Sequence, residues 1–80
     1  IEEEVRQVLS NLHACLMSAK LDWKHVVKIN IYTTDLDHFD CINRIYSDVV
    51  CAPFPARAAV EVSALPKGAR VEMDAMAYVE

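Results

Sequence analysis

Two side chains in the last third of this 80-residue chain have the chemistry to act together on a small acid. Arg57 follows a proline-stiffened entry, Pro53-Phe54-Pro55-Ala56, and heads an alternating run that reaches Val62. Glu72 stands in a second alternating run, Val71-Glu72-Met73, beyond Leu65-Pro66-Lys67-Gly68. A guanidinium grips a carboxylate through two parallel hydrogen bonds, and a glutamate can orient or deprotonate water. A site holding both would fix an acid and direct water at a neighbouring carbon, provided the two groups reach one pocket.

Two strands must position them. Alternation over 56–64 puts Ala58, Val60, Val62 and Ala64 on an apolar face and Arg57, Ala59, Glu61 and Ser63 on the other. Over 69–79, Val71, Met73, Ala75, Ala77 and Val79 face the core, opposite Arg70, Glu72, Asp74, Met76 and Tyr78. Arg57 and Glu72 are therefore expected on the same, non-core face. Leu65 to Gly68 reads as a four-residue turn, with Gly68 free to take positive φ. A hairpin closed there pairs Glu61 with Glu72 and leaves Arg57 about 13 Å further along. At that separation the two flank one small molecule, or one of them works with a group from a neighbouring subunit.

Upstream, Val5, Val8, Leu9, Leu12, Leu16 and Ala19 recur at helical spacing, predicting a helix over 2–20 with Glu2, Glu3 and Glu4 in its first turn. It stops near Lys20 with no glycine to take a left-handed turn. A strand over 26–33 is expected to point Val27, Ile29, Ile31 and Thr33 inward. Asp35 or Asp37 can cap a helix over 38–49, whose inward stripe is Phe39, Ile42, Ile45, Tyr46 and Val49. Asn43 lies beside that stripe, where an amide needs partners. Two prolines make 51–55 a loop. The order α-β-α-β-β predicts an α+β fold, with two helices on one face of a small mixed sheet, as a single domain over residues 1–80.

Composition narrows the partners. Hydrophobic residues make up 54% of the chain, more than a lone domain of this size easily buries, so an oligomer is expected. Twelve acidic residues against eight basic ones disfavour nucleic acid and anionic membrane surfaces, which call for a basic stripe. No apolar run approaches the ~20 residues of a membrane span. Ile1-Glu2-Glu3-Glu4 is acidic where targeting segments are basic, and the absent starting methionine suggests a processed or partial chain. A cytoplasmic setting is expected, with mitochondria or another organelle also compatible. Cys15, Cys41 and Cys51 are odd in number and widely spaced, reading as reduced, packed thiols with no zinc site. His13, His25 and His38 show no ligand spacing, and the lone Gly68 excludes a glycine-rich phosphate loop.

The stretch from Pro55 through Arg57, Leu65-Pro66 and Glu72 to Met73 resembles the C-terminal signature of the RidA (YjgF/YER057c/UK114) family. Val26-Val27-Lys28, Thr34-Asp35-Leu36 and Phe39 through Asn43 to Tyr46 match the same family upstream, so the resemblance covers essentially the whole chain. It implies a homotrimer of chorismate-mutase-like α+β subunits, with small-molecule pockets in the clefts between them. It further implies deamination of enamines and imines of the 2-aminoacrylate type to 2-keto acids and ammonia, with no metal or cofactor. By position, Arg57 matches the carboxylate-binding arginine, Glu72 the glutamate that handles water, and Asn43 a pocket-lining asparagine. Ala59 stands at a substrate-binding position often held by cysteine, and Lys20 where a helix-ending glycine is usual. The family's two strands before the first helix have no counterpart, so the chain is expected to form a fold truncated at its N-terminus.

Three functions follow from this frame. The first is a deaminase of 2-imino acids, with Arg57 clamping the carboxylate and Glu72 directing water. The second is a non-catalytic trimer that binds small carboxylates, favoured by Ala59 and the absent strands. The third, an endoribonuclease or translation inhibitor, suits an acidic chain least.

Overall fold

The computed structural model describes residues 1–50, 52 and 54–78. Cys51 and Pro53 of the expected loop and Val79 of the expected core face lie outside the described residues. Helix α1 (Glu2–Ser18) buries Val5, Leu9 and Leu16 along the stripe that spacing predicts. Strand β1 is Val26–Thr33, helix α2 is Phe39–Val49, and strands β2 and β3 are Ala56–Glu61 and Val71–Ala77. Both helices cover one face of a three-stranded sheet, the expected α+β arrangement. Fully buried Leu9, Ile29, Ile31, Ile42 and Ile45 bring both layers into one core. Each contributes about 1.5–3 kcal/mol by leaving water. No helix among the described residues is long and apolar enough to cross a membrane.

The strand order overturns the expected hairpin. The sheet runs β2-β1-β3, so β1 separates the two strands that were to pair across the turn. β2 runs parallel to β1 and β3 antiparallel to it. A parallel neighbour needs a crossover, which α2 supplies between β1 and β2. The segment after Glu61 then crosses to the far side of β1 and includes the short 3-10 turn Pro66–Gly68, where both Lys67 and Gly68 take positive φ.

Strand phases differ from simple alternation in two places. Val26 is buried and Val27 is exposed, because the pairing with β3 shifts register between Val26 and Lys28. The bulge turns the first residue inward and restores the expected phase from Ile29 onward. β3 follows its expected phase at Val71 and Met73, half-buries Ala75 and leaves Ala77 exposed. Cys15 is exposed rather than packed, while Cys41 is half-buried.

α1 ends without glycine by forcing a lysine into the left-handed region. Lys20 has φ of 63°, while Lys20 N–H donates to the Met17 carbonyl and Leu21 N–H to the Leu16 carbonyl. These two bonds are a Schellman stop, whose left-handed residue costs a β-carbon-bearing side chain about 1 kcal/mol. Lys20→Gly is expected to stabilise the fold by about 1 kcal/mol and raise Tm by several degrees. A thermal melt with an unchanged or lower midpoint would contradict the strain. Beyond the stop, Asp22 accepts from Trp23 N–H at 2.7 Å and His25 Nδ1 accepts from Asp22 N–H at 3.0 Å. His13 stacks on Trp23 and meets Asp22, so two of the three histidines fasten the turn between α1 and β1. Asp35 caps the short 3-10 turn Leu36–His38 rather than α2 itself.

Glu4 ties the first turn of α1 to the start of β3. Its carboxylate accepts from Arg70 N–H at 2.6 Å, Arg70 Nε at 2.9 Å and Val71 N–H at 3.3 Å. The Arg70 backbone bond, then its side chain, hold this carboxyl below the usual glutamate range against the opposing effect of burial. A folded value below the unfolded one means the stabilisation is complete above the ordinary carboxylate range. It is lost as pH falls through the lowered value. Glu4→Gln is expected to cost about 1–2 kcal/mol at neutral pH. Urea melts of the two proteins should converge in acid, and a gap that persists there would place the effect elsewhere.

Candidate functional site

The parallel register aligns Ile29 with Arg57, Ile31 with Ala59 and Thr33 with Glu61. Aligned residues of neighbouring strands project to the same side, and Ile29, Ile31 and Thr33 are fully buried beneath the helices. Arg57, Ala59 and Glu61 therefore face the helix layer, which reverses the expected phase of β2. Ala59 packs against the core, whereas Val60 is 46% exposed on the open face. The reversal is tolerated because Arg57 and Glu61 are long enough to carry their charges to the layer's rim. There Glu61 accepts from Leu36 N–H at 2.9 Å.

Arg57 meets a stripe of α2. Phe39, Asn43 and Tyr46 follow one another at four- and three-residue steps, so they share a helix face. The guanidinium carbon lies 5.2 Å from the Phe39 ring centroid and 5.0 Å from that of Tyr46. Arg57 Nη1 donates to Asn43 Oδ1. A guanidinium can only donate, so the Asn43 oxygen must face it and the NH2 group is left to bond elsewhere. Asn43 and Arg57, with Tyr46, Ser47, Phe54 and Pro55, line a recess of about 350 Å³. Tyr46 tilts against Phe54 at 6.0 Å, and its buried hydroxyl has no partner among the described residues. Burial holds the Tyr46 phenol above its usual range, and the Arg57 charge works against that rise. Fixed N–H donors above an aromatic floor suit a small carboxylate with a short apolar chain.

Glu72 is not there. Its register partner is Tyr32, on the face opposite buried Ile31 and Thr33, and it is exposed. β1 lies between Arg57 and Glu72, about 10 Å by interstrand spacing alone, and their side chains leave opposite faces of the sheet. One chain does not bring the pair together, contrary to the shared face that alternation predicts. Glu72 shares the open face with Asp74, which accepts from Asn30 Nδ2 at 2.8 Å and from Tyr32 OH at 3.1 Å. Asp74 raises the Tyr32 phenol above its usual range, chiefly through that hydrogen bond. Val27, Val60 and Met76 are exposed beside them, so the open face mixes these polar groups with bare apolar side chains. Glu72 also borders a separate recess of about 340 Å³ between α1 and β3, lined by Val8, Leu12, Cys15 and Met73 among others.

The sequence profile described as endoribonuclease L-PSP matches residues 1–79. The human protein named 2-iminobutanoate/2-iminopropanoate deaminase is 42% identical over 77 residues, covering 96% of this chain and 56% of that protein. The chain belongs to the RidA family. A crystal structure of RidA from an Antarctic Psychrobacter superposes with a TM-score of 0.96 at 38% identity, covering 99% of this chain and 64% of that one. E. coli TdcF, solved with bound serine, gives a TM-score of 0.92 at 32% identity, covering 99% and 65%. The chain spans less than two thirds of the length of each of these RidA relatives.

Of the residues the sequence singles out, Arg57 and Asn43 share the recess of this RidA-family chain, whereas Ala59 and Glu72 do not line it. Sequence reasoning passed over Tyr46, Ser47, Phe54 and Pro55 as lining residues. The available signal was the spacing of Phe39, Asn43 and Tyr46, which sets a hydrogen-bonding amide between two rings on one stripe.

Proposed function

We propose that the chain is a subunit of a deaminase that hydrolyses 2-imino acids, including those formed from 2-aminoacrylate-type enamines, to 2-oxo acids and ammonia. The observation that carries this reading is Arg57, fastened by Asn43 and two rings at the mouth of a small recess, with most of its N–H groups unbonded among the described residues. The similarity to a human protein named for this activity, and to TdcF solved with serine, supports a small carboxylate as the ligand. The substrate carboxylate docks on the Arg57 fork, helped by the Asn43 NH2. Water adds to the C=N carbon, nitrogen takes a proton, and the C–N bond breaks to release ammonia and leave a carbonyl.

Glu72 is the base in this scheme, and it comes from another copy of the chain. Arg57 and Glu72 leave opposite faces of one sheet, so only self-association, in our reading a homotrimer, joins them at a cleft. The exposed apolar residues beside Glu72 suit such contact. The test is to generate 2-iminopropanoate in situ from alanine with an amino-acid oxidase and follow ammonia release. Light scattering reports assembly in the same solution. Release above the buffer rate only where the protein is associated supports the reading, and an associated protein without it sinks the reading.

The separation of Arg57 from Glu72 within one chain also favours a second reading, a carboxylate-binding trimer without turnover. Calorimetric binding of 2-oxobutanoate with background ammonia release would select it. RNA cleavage, suggested by the family description, suits the net charge of −4 poorly.

A further inference from the structure

We propose that Phe39, which lines no part of the recess, is a positioning residue that sets the plane of the Arg57 guanidinium and so the site's preference for a carboxylate over a neutral ligand. The inference rests on the carboxylate reading of that recess, and it names a residue that meets the arginine without lining the recess. Phe39 and Tyr46 sit two turns apart on α2, a rise of about 10.5 Å along the axis. The guanidinium carbon lies almost equally far from the two ring centroids, at 5.2 and 5.0 Å. Both rings thus attract the cation over their faces, and Asn43 holds one nitrogen between them.

The need for such a hold comes from the strand. Arg57 is exposed, and it is the second residue of β2, which lies at the edge of the sheet. An arginine there, with no contacts, samples many rotamers, and only a few of them present a planar fork to a bound anion. Ring faces leave the edge of the guanidinium free, and that edge carries the donors. The clamp therefore restrains orientation without occupying the hydrogen-bonding groups, whereas a carboxylate partner would consume them.

The test uses Phe39→Leu, which keeps apolar bulk but removes the ring face, and Phe39→Tyr, which restores it. Nitrogen NMR of the arginine side chains reads rotation about the Arg57 Nε–Cζ bond without any ligand. The expected result is slow rotation in the wild type, acceleration by at least about fivefold in Phe39→Leu, and recovery in Phe39→Tyr. Calorimetry should show 2-oxobutanoate binding weakened about fivefold in Phe39→Leu, with 2-oxobutanamide unaffected and Tm recorded for each protein. Fast rotation in the wild type overturns the positioning role. So does a folded Phe39→Leu protein that binds both ligands as the wild type does, or loses both equally. If the wild type binds no 2-oxobutanoate while Phe39→Leu alone frees the rotation, the positioning role stands and the proposed function falls.

Discussion

Arg57→Lys is expected to weaken 2-oxobutanoate binding about 50-fold while leaving Tm nearly unchanged. The ammonium keeps the charge, so any loss isolates what the guanidinium does beyond charge. A lysine presents tetrahedral donors and no plane. It cannot stack its head between the Phe39 and Tyr46 rings or hold Asn43 and a bidentate carboxylate together. Charge-assisted hydrogen bonds contribute about 1.5–3 kcal/mol each, and losing one with its geometry corresponds to a factor near that expected. Calorimetry on the associated protein measures it. Affinity within threefold of wild type would remove Arg57 from the ligand's path and leave its bond to Asn43 as a structural contact. Arg57→Ala should lower Tm as well, because it leaves the Asn43 oxygen and two ring faces without their partner.

The elements were legible wherever one physical demand dominated. The stripe of Val5, Leu9 and Leu16 and the inward side of the run Ile29 to Thr33 are buried as spacing implies, because large apolar or β-branched side chains recur there at the period of each element. β2 was misread for a definable reason. In Arg57-Ala58-Ala59-Val60-Glu61, hydrophobicity favours Val60 inside, yet the sheet turns half-buried Ala59 to the core. Ala59 aligns with buried Ile31 and packs against the core, and the flanking long charged side chains reach the rim. Alternation identifies two faces but not which of them the helices cover when both hold small apolar residues. Strand order was hidden for another reason. A short Leu-Pro-Lys-Gly segment looks like a hairpin turn whether or not a third strand lies between its flanks. Arg57 and Asn43 were legible as a pair only through the family frame, and the rings that hold the arginine read simply as core.

Glu72→Gln is expected to lower the rate of imine hydrolysis by 10²–10³-fold, on the order of what loss of a general base removes, while 2-oxobutanoate binding stays within twofold. The amide keeps size and polarity but cannot accept the proton from water. The decisive step combines it with Arg57→Lys. In one chain these residues leave opposite faces of the sheet, so a site that uses both must draw them from two copies. When the two variants are unfolded together and refolded at equal concentration, each site draws its Arg57 and its Glu72 from chains chosen at random. About one quarter of the sites then hold both native groups, in any closed ring whose sites each use two neighbouring subunits. Activity should return to about that fraction of wild type, although each variant alone is nearly inactive. A site built within one chain predicts no recovery, because every chain carries one lesion. Failure to recover in a mixture shown by mass spectrometry to contain both chains would therefore exclude a base supplied by the neighbour.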